Sequence, residues 1–199
     1  MKIPPAIFTL LDQRPLLIAI AGPNGAGKST FYQSHLAAAG LSFVNADNIA
    51  RDMGIGSYAA ANLAAELRRR YIEERRSFVF ETVFSDPAGD KLAFLKSSEE
   101  SGYTVILVFV GIPNPMVSEQ RVGMRILHGG HDVPLEKLRS RFPRTMANLA
   151  VALRTVQNVF VYDNSDLADP YRQVAIFHNG SAIWRRDKLP KWFVPFMTS

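Results

Sequence analysis

Residues 16–30 read Leu16-Leu17-Ile18-Ala19-Ile20-Ala21-Gly22-Pro23-Asn24-Gly25-Ala26-Gly27-Lys28-Ser29-Thr30. Six apolar residues in succession, stopped by a glycine, are the pattern of a strand buried on both faces, since a strand with one wet face alternates. The stretch GPNGAGKS at 22–29 satisfies G-x-x-x-x-G-K-[ST], and Lys28 to Ala39 reads as a helix that Gly40 stops. Between a buried strand and a helix, such glycines let the loop wrap with its backbone N–H groups turned toward phosphate oxygens, and the helix adds its positive end. Gly22, Pro23, Asn24, Gly25, Ala26, Gly27, Lys28, Ser29 and Thr30 are therefore the expected ATP-binding residues. Lys28 is expected to reach the β- and γ-phosphates, and the Ser29 hydroxyl to hold Mg²⁺.

Outward from this loop, strand and helix signals alternate. Leu41 to Asn45 is a second strand candidate that would complete a βαβ unit with the first, and Ser57 to about Arg76 is a long helix with Ala59, Leu63, Leu67 and Tyr71 on one stripe. Ser77 to Glu81 is a third strand, Asp86-Pro87 is a cap and first-turn pair for a helix ended by Gly102, and Tyr103 to Val110 is a β-branched fourth strand. Helices over Pro115 to Leu127 and Pro134 to Asn158 follow, the second interrupted at Pro143. Asn158 to Asp163 reads as a fifth strand, and Asn179-Gly180 turns a closing hairpin over about 172–186. This order predicts an α/β fold with a mostly parallel sheet, helices on both faces and a helical lid over about 115–145.

Composition narrows the function classes. At 199 residues and 47% hydrophobic, with no repeat or low-complexity tract, the chain is expected to be one domain over 1–199, its aromatic tail from Leu189 packed on the body. The absence of cysteine excludes disulfides, thiol nucleophiles and cysteine-held metals, and suits a reducing, cytoplasmic setting. No apolar run reaches membrane-spanning length, and MKIPPAIFTLLDQRP lacks the order of a secretory leader, so neither membrane insertion nor secretion is expected. A formal charge of +5 favours anionic partners without choosing among them.

The phosphate loop serves transporters, switches and kinases alike, so other residues have to choose. The loop string suits transporter ATPases, yet no LSGGQ-like signature occurs, and no Asp-Glu pair follows the apolar run 105–110. Carboxylates stand instead at the ends of the second and third strands, in Asn45-Ala46-Asp47 and Phe80-Glu81-Thr82, where parallel strands would direct them toward the loop. Asp47 is the candidate base for a substrate hydroxyl, although its type and place also suit a helix N-cap. Glu81, with Asn45 and Thr82 as weaker candidates, is expected on the substrate side. Arg121 and Arg125 share a helix face, and with Arg141 they are preferred over Arg139 and Arg144 as donors to the transferring phosphoryl group. His128 and His131 in HGGHD lack a third ligand and read as a hinge or substrate loop rather than a metal pair. The run Arg68-Arg69-Arg70, interleaved with Glu66, Glu73 and Glu74, reads as a solvated helix face, which makes nucleic acid an unfavoured partner.

In combination, GPNGAGKST, VNADNIARD, FVFETVFSDP and HGGHDVP followed by RSRFPRTMANL resemble the zeta-toxin-like family of small kinases over about residues 16–163. The resemblance implies a nucleoside-monophosphate-kinase-like P-loop fold using ATP and Mg²⁺, with Asp47 as catalytic acid, Lys28 and Ser29 as phosphate and magnesium residues, and Glu81 as the substrate-side glutamate. It implies as acceptor the sugar 3′-hydroxyl of UDP-N-acetylglucosamine, and a cognate antitoxin as partner. HGGHDVP and RSRFPRT are closer to a chromosomal ATPase-like branch of that family than to plasmid toxins. A nucleotide or polynucleotide kinase, and a non-catalytic ATP-responsive binding module, are the alternatives.

Overall fold

The computed structural model describes residue 10, residues 12–127 and residues 133–197. Its strands are β1 (Leu16–Ala21), β2 (Ser42–Val44), β3 (Phe78–Thr82), β4 (Thr104–Gly111), β5 (Asn158–Asp163), β6 (Arg172–His178) and β7 (Ser181–Arg185). The helices are α1 (Lys28–Phe31), which runs on through a π turn and a 3₁₀ turn to Ala39, α2 (Ala46–Met53), α3 (Ser57–Glu73), α4 (Asp90–Glu100), α5 (Pro115–Leu127) and α6 (Leu135–Thr155). Among the described residues the strands form one sheet in the order β2-β3-β1-β4-β5-β6-β7. β1 to β5 are parallel, and β6 and β7 close the sheet as an antiparallel hairpin. The expected α/β architecture is present.

β1 is the axis of the fold because it can be dry on both sides. Leu16, Ile18 and Ile20 join Val79, Ile106, Val108 and Phe160 in one apolar layer, while Leu17, Ala19 and Ala21 join Phe78, Phe80, Leu107 and Phe109 in the other. Each buried leucine or isoleucine side chain contributes about 1.5–3 kcal/mol, so an uninterrupted run of this kind is most stable in the sheet interior.

Three features add to or correct what the sequence predicts. β1 and β2 are not neighbours: β3 lies between them, pairing Leu17 with Phe78 on one side and Val44 with Phe80 on the other. The Phe78-Val79-Phe80 run is buried on both faces, whereas β2 has three residues and is only half buried, so β2 takes the edge. Second, α6 passes through Pro143 without interruption. The exposed proline sits between Leu138 on one side and Thr145, Leu149, Ala152 and Leu153 on the other, and burying both halves offsets its cost of about 3 kcal/mol. Third, α4 starts at Asp90 behind a left-handed Gly89, and Asp86 serves it from outside by accepting the Lys91 N–H at 3.1 Å.

The aromatic tail packs on the body. Phe193 is fully buried, and Trp192 lies over Gly111, where a Cβ would come within 2.2 Å of its ring, while its Nε1 donates to Asp163 Oδ1 at 2.9 Å. No helix among the described residues is long and apolar enough to cross a membrane.

Candidate active site

The loop after β1 is shaped from outside by distant parts of the chain. Asn164 Nδ2 donates to the Ala26 carbonyl at 2.8 Å, Tyr171 OH to the Gly27 carbonyl at 2.9 Å and Ser118 Oγ to the Asn24 carbonyl at 2.6 Å. Three loop carbonyls are thus held from outside, while the Pro23 carbonyl accepts the Ala26 N–H within the loop at 3.2 Å. Two glycines are required by this close wrapping. At Gly22, φ is 144° and a Cβ would meet the Val110 carbonyl oxygen at 2.2 Å; at Gly27, φ is 88° and a Cβ would come within 2.8 Å of both Asn164 and Tyr171.

Lys28 begins α1 and is buried, with 6% of its surface exposed. Its Nζ donates to the Pro23 carbonyl at 3.0 Å and lies 3.9 Å from Glu81 Oε1. Burial lowers its pKa from the ordinary lysine value, against the opposing pull of Glu81 and then Asp47, and the Arg125 charge adds to the lowering. These influences group Lys28, Glu81, Asp47 and Arg125 in one electrostatic neighbourhood.

Sheet register explains how the carboxylate arrives. Glu81 pairs with Ile20 one residue before β1 ends, and Val44 pairs with Phe80, so Asn45 emerges beside Glu81 at the same edge. Glu81 Oε2 accepts from Ser29 Oγ at 2.7 Å and from Asn45 Nδ2 at 2.8 Å. Asn45 also caps α2, its Oδ1 accepting the N–H groups of Asp47 and Asn48. The cap is thus Asn45, which leaves Asp47 in the first turn with an exposed side chain. Thr82 Oγ1 accepts the N–H of Phe84 at 3.0 Å.

Asn24, Asn45, Asp47, Glu81 and Thr82 all line one cavity of about 700 Å³. α5 and α6 bring Arg125, Arg141 and Arg144 to the same cavity. Arg121 stands apart from it, donating toward the Gly25 and Ser165 carbonyls, and Arg139 is exposed and paired with Glu119. His128, Gly129, Gly130, His131 and Asp132 lie outside the described residues. The solvated-face reading of Arg68 is overturned: it is 9% exposed and stacked over Phe80 and Phe94, because α3 buries Ala60, Ala64 and Arg68 along one line. Asn164, Tyr171 and Ser118 were not singled out in the sequence, since nothing local marks a residue that reaches a loop some hundred positions away.

Mg²⁺ suits this donor set. It binds through few protein oxygens, water and substrate phosphates rather than an all-protein cage. The Ser29 hydroxyl beside the Glu81 carboxylate offers that chemistry, and no cluster of three or more metal-binding side chains occurs among the described residues.

A glycine-wrapped loop between a central strand and a helix, at the carboxyl edge of a parallel sheet with β3 on one side and β4 on the other, defines a kinase-like P-loop fold. The chain belongs to the AAA domain family AAA_33, whose match covers residues 17–145. No curated protein matches it. Among solved structures, the complex of AvrRxo1-ORF1 and ORF2 with ATP is similar at TM-score 0.70 and 17% identity, over 96% of this chain and 65% of that one. This chain thus spans slightly under two thirds of that protein's length. The PezAT chromosomal toxin-antitoxin system of Streptococcus pneumoniae is similar at TM-score 0.55 and 12% identity, over 97% and 82%. A protein of Chloroflexus aurantiacus is similar at TM-score 0.51 and 22% identity, over 65% of this chain and 80% of that one.

Proposed function

We propose that this chain is an ATP- and Mg²⁺-dependent phosphotransferase that moves the γ-phosphoryl group of ATP to a hydroxyl of a small molecule. One observation carries the reading: Asp47, a carboxylate that is not consumed as a helix cap, faces the same cavity as the Glu81 that is bonded to the phosphate-loop serine.

In this scheme the loop from Gly22 to Thr30 holds the phosphates and Lys28 draws charge from the β- and γ-oxygens. Mg²⁺, when bound, neutralises the phosphate oxygens, with Ser29 to hold it and Glu81 to fix Ser29. Asp47 orients the acceptor hydroxyl and takes its proton, a role worth about 10²–10⁴ in rate. Arg125 and Arg141, from the helices proposed as the lid, balance the charge that develops on the transferred group, and Arg121 supports the loop from behind. The hydroxyl oxygen forms the new bond to phosphorus, and ADP leaves with the electrons of the broken one.

The zeta-toxin-like motifs make the 3′-hydroxyl of UDP-N-acetylglucosamine the first acceptor to try. AvrRxo1-ORF1 occurs with ORF2 and PezAT is a toxin-antitoxin system, so a cognate inhibitory protein belongs to the same proposal. The test is transfer from labelled ATP with Mg²⁺ to a panel of sugar nucleotides, nucleosides and oligonucleotides, beside Lys28→Ala. Label on a sugar nucleotide, lost in the variant, supports the reading. Label on oligonucleotide ends alone moves it to a polynucleotide kinase, and ATP binding with no labelled acceptor favours a binding module.

A further inference from the structure

The wall of the cavity contributed by α3 holds a cation that the phosphate chemistry does not use. Arg68 is more than nine-tenths buried, yet it makes no hydrogen bond or ion pair among the described residues. Its guanidinium lies 5.0 Å over the Phe80 ring and 5.7 Å over the Phe94 ring. Ring faces attract the charge, and since no Arg68 nitrogen is among the sealed, unpartnered polar atoms of the described residues, its five N–H donors open onto the cavity that Arg68 lines. A guanidinium backed by apolar rings and open to a cavity is the side chain best shaped to take a carboxylate or phosphate through two parallel bonds.

Two further features point the same way. The cavity is lined by six basic side chains against three carboxylates, so its walls do not neutralise themselves. Asp86, another lining residue, keeps its Oδ1 buried without a hydrogen-bond partner, although Oδ2 is used by Lys91 N–H. Arg68 is also set apart from the loop: Lys28 responds to Glu81, Asp47 and Arg125, whereas Arg68, its pKa lowered to about 10 by burial, has Arg69 as its other influence.

We infer that Arg68 anchors an anionic group, phosphate or carboxylate, on the acceptor of the proposed transfer, with Asp86 Oδ1 receiving a hydroxyl or amino hydrogen of the same molecule. The acceptor class is a small hydroxyl compound that already carries negative charge, held at one end by Arg68 while Asp47 addresses the reacting hydroxyl. This inference rests on the kinase reading for the word acceptor, but the anion site can be tested by itself.

The experiment follows the Arg68 Nε–H resonance of the full chain, identified by its loss in Arg68→Lys. Inorganic phosphate and, separately, acetate are titrated with the phosphate loop filled by Mg²⁺ and a non-hydrolysable ATP analogue. The Arg68 resonance is expected to move and saturate at millimolar concentration, and the tighter of the two anions identifies a phosphate or a carboxylate anchor. In calorimetry, Arg68→Met is expected to weaken that binding about 10- to 100-fold with the analogue's affinity unchanged. A resonance that neither anion moves overturns the inference, as does unchanged anion affinity in Arg68→Met. Should Arg68→Met fail to fold, the wild-type resonance still decides. Failure of the analogue to bind would strike the kinase reading instead, which keeps the two failures distinct.

Discussion

Ser29 Oγ donates a 2.7 Å hydrogen bond to Oε2 of Glu81, joining the first turn of α1 to the carboxyl end of β3. Asn45 holds the same oxygen from the start of α2, so three elements that are separate in sequence converge on one carboxylate. Glu81→Gln keeps the volume but removes the negative charge, and its amide N–H₂ must face either both of these partners or, with the amide flipped, the Lys28 ammonium. The Mg²⁺ requirement for transfer is expected to rise about 10- to 100-fold, the cost typical of groups that orient metal ligands. A magnesium titration of the transfer rate checks this, and an unchanged requirement would leave Glu81 to the substrate side.

Tyr171 and Asn164 make a second kind of support, since they hold loop carbonyls and touch no reacting atom. Tyr171→Phe removes only the hydroxyl bonded to Gly27 and is expected to cost about 1 kcal/mol of stability, with a several-fold loss of ATP affinity. Thermal unfolding and equilibrium ATP binding measure the two effects. A variant with wild-type ATP affinity would show that the loop keeps its shape without this bond.

Lys28 trades stability for binding. Its pKa is lowered on folding, chiefly by burial, so between the folded value and the unfolded value near 10.5 the folded chain binds fewer protons than the unfolded one. Stability from this group therefore rises with pH through that window, and below it the full penalty of a buried charge remains. Lys28→Met is expected to raise the apo melting temperature at neutral pH while abolishing ATP binding, and to flatten the alkaline rise. A lower melting temperature would mean that Glu81 needs Lys28 more than burial penalises it.

The arginines of α5 and α6 separate by position. Arg139 is exposed and paired with Glu119, so Arg139→Ala is expected to leave turnover unchanged and stability within about 1 kcal/mol. Arg125→Ala and Arg141→Ala open the cavity wall and are expected to lower turnover by up to about 10³-fold, by the scale of a catalytic arginine. Steady-state kinetics of the three variants side by side make the comparison.

What could be read from the sequence was what is written locally. The Leu16–Ala21 run and GPNGAGKS lie within fourteen adjacent residues, and they form the expected buried strand and a glycine-wrapped loop that leads into α1. Strand order was not legible, because the insertion of β3 between β1 and β2 follows from how completely Phe78-Val79-Phe80 buries relative to a three-residue neighbour. Three adjacent arginines look solvated in the sequence, but successive helix residues point about 100° apart and one of the three, Arg68, can face inward. The spacing Ala60, Ala64, Arg68 was the available signal. Asn45 was placed near the site as a weak substrate candidate, but its double role, capping α2 while gripping Glu81, required the register of β2 against β3.

The most direct measurement is single-turnover transfer from labelled ATP by Asp47→Asn, with ATP affinity determined on the same preparation. Asp47 is exposed in the cavity while Asn45 does the capping, so the substitution removes a base and spares the helix. ATP affinity is expected to stay at the wild-type value while transfer falls about 10²–10⁴-fold. Transfer at the wild-type rate would contradict the assignment of Asp47 as the base.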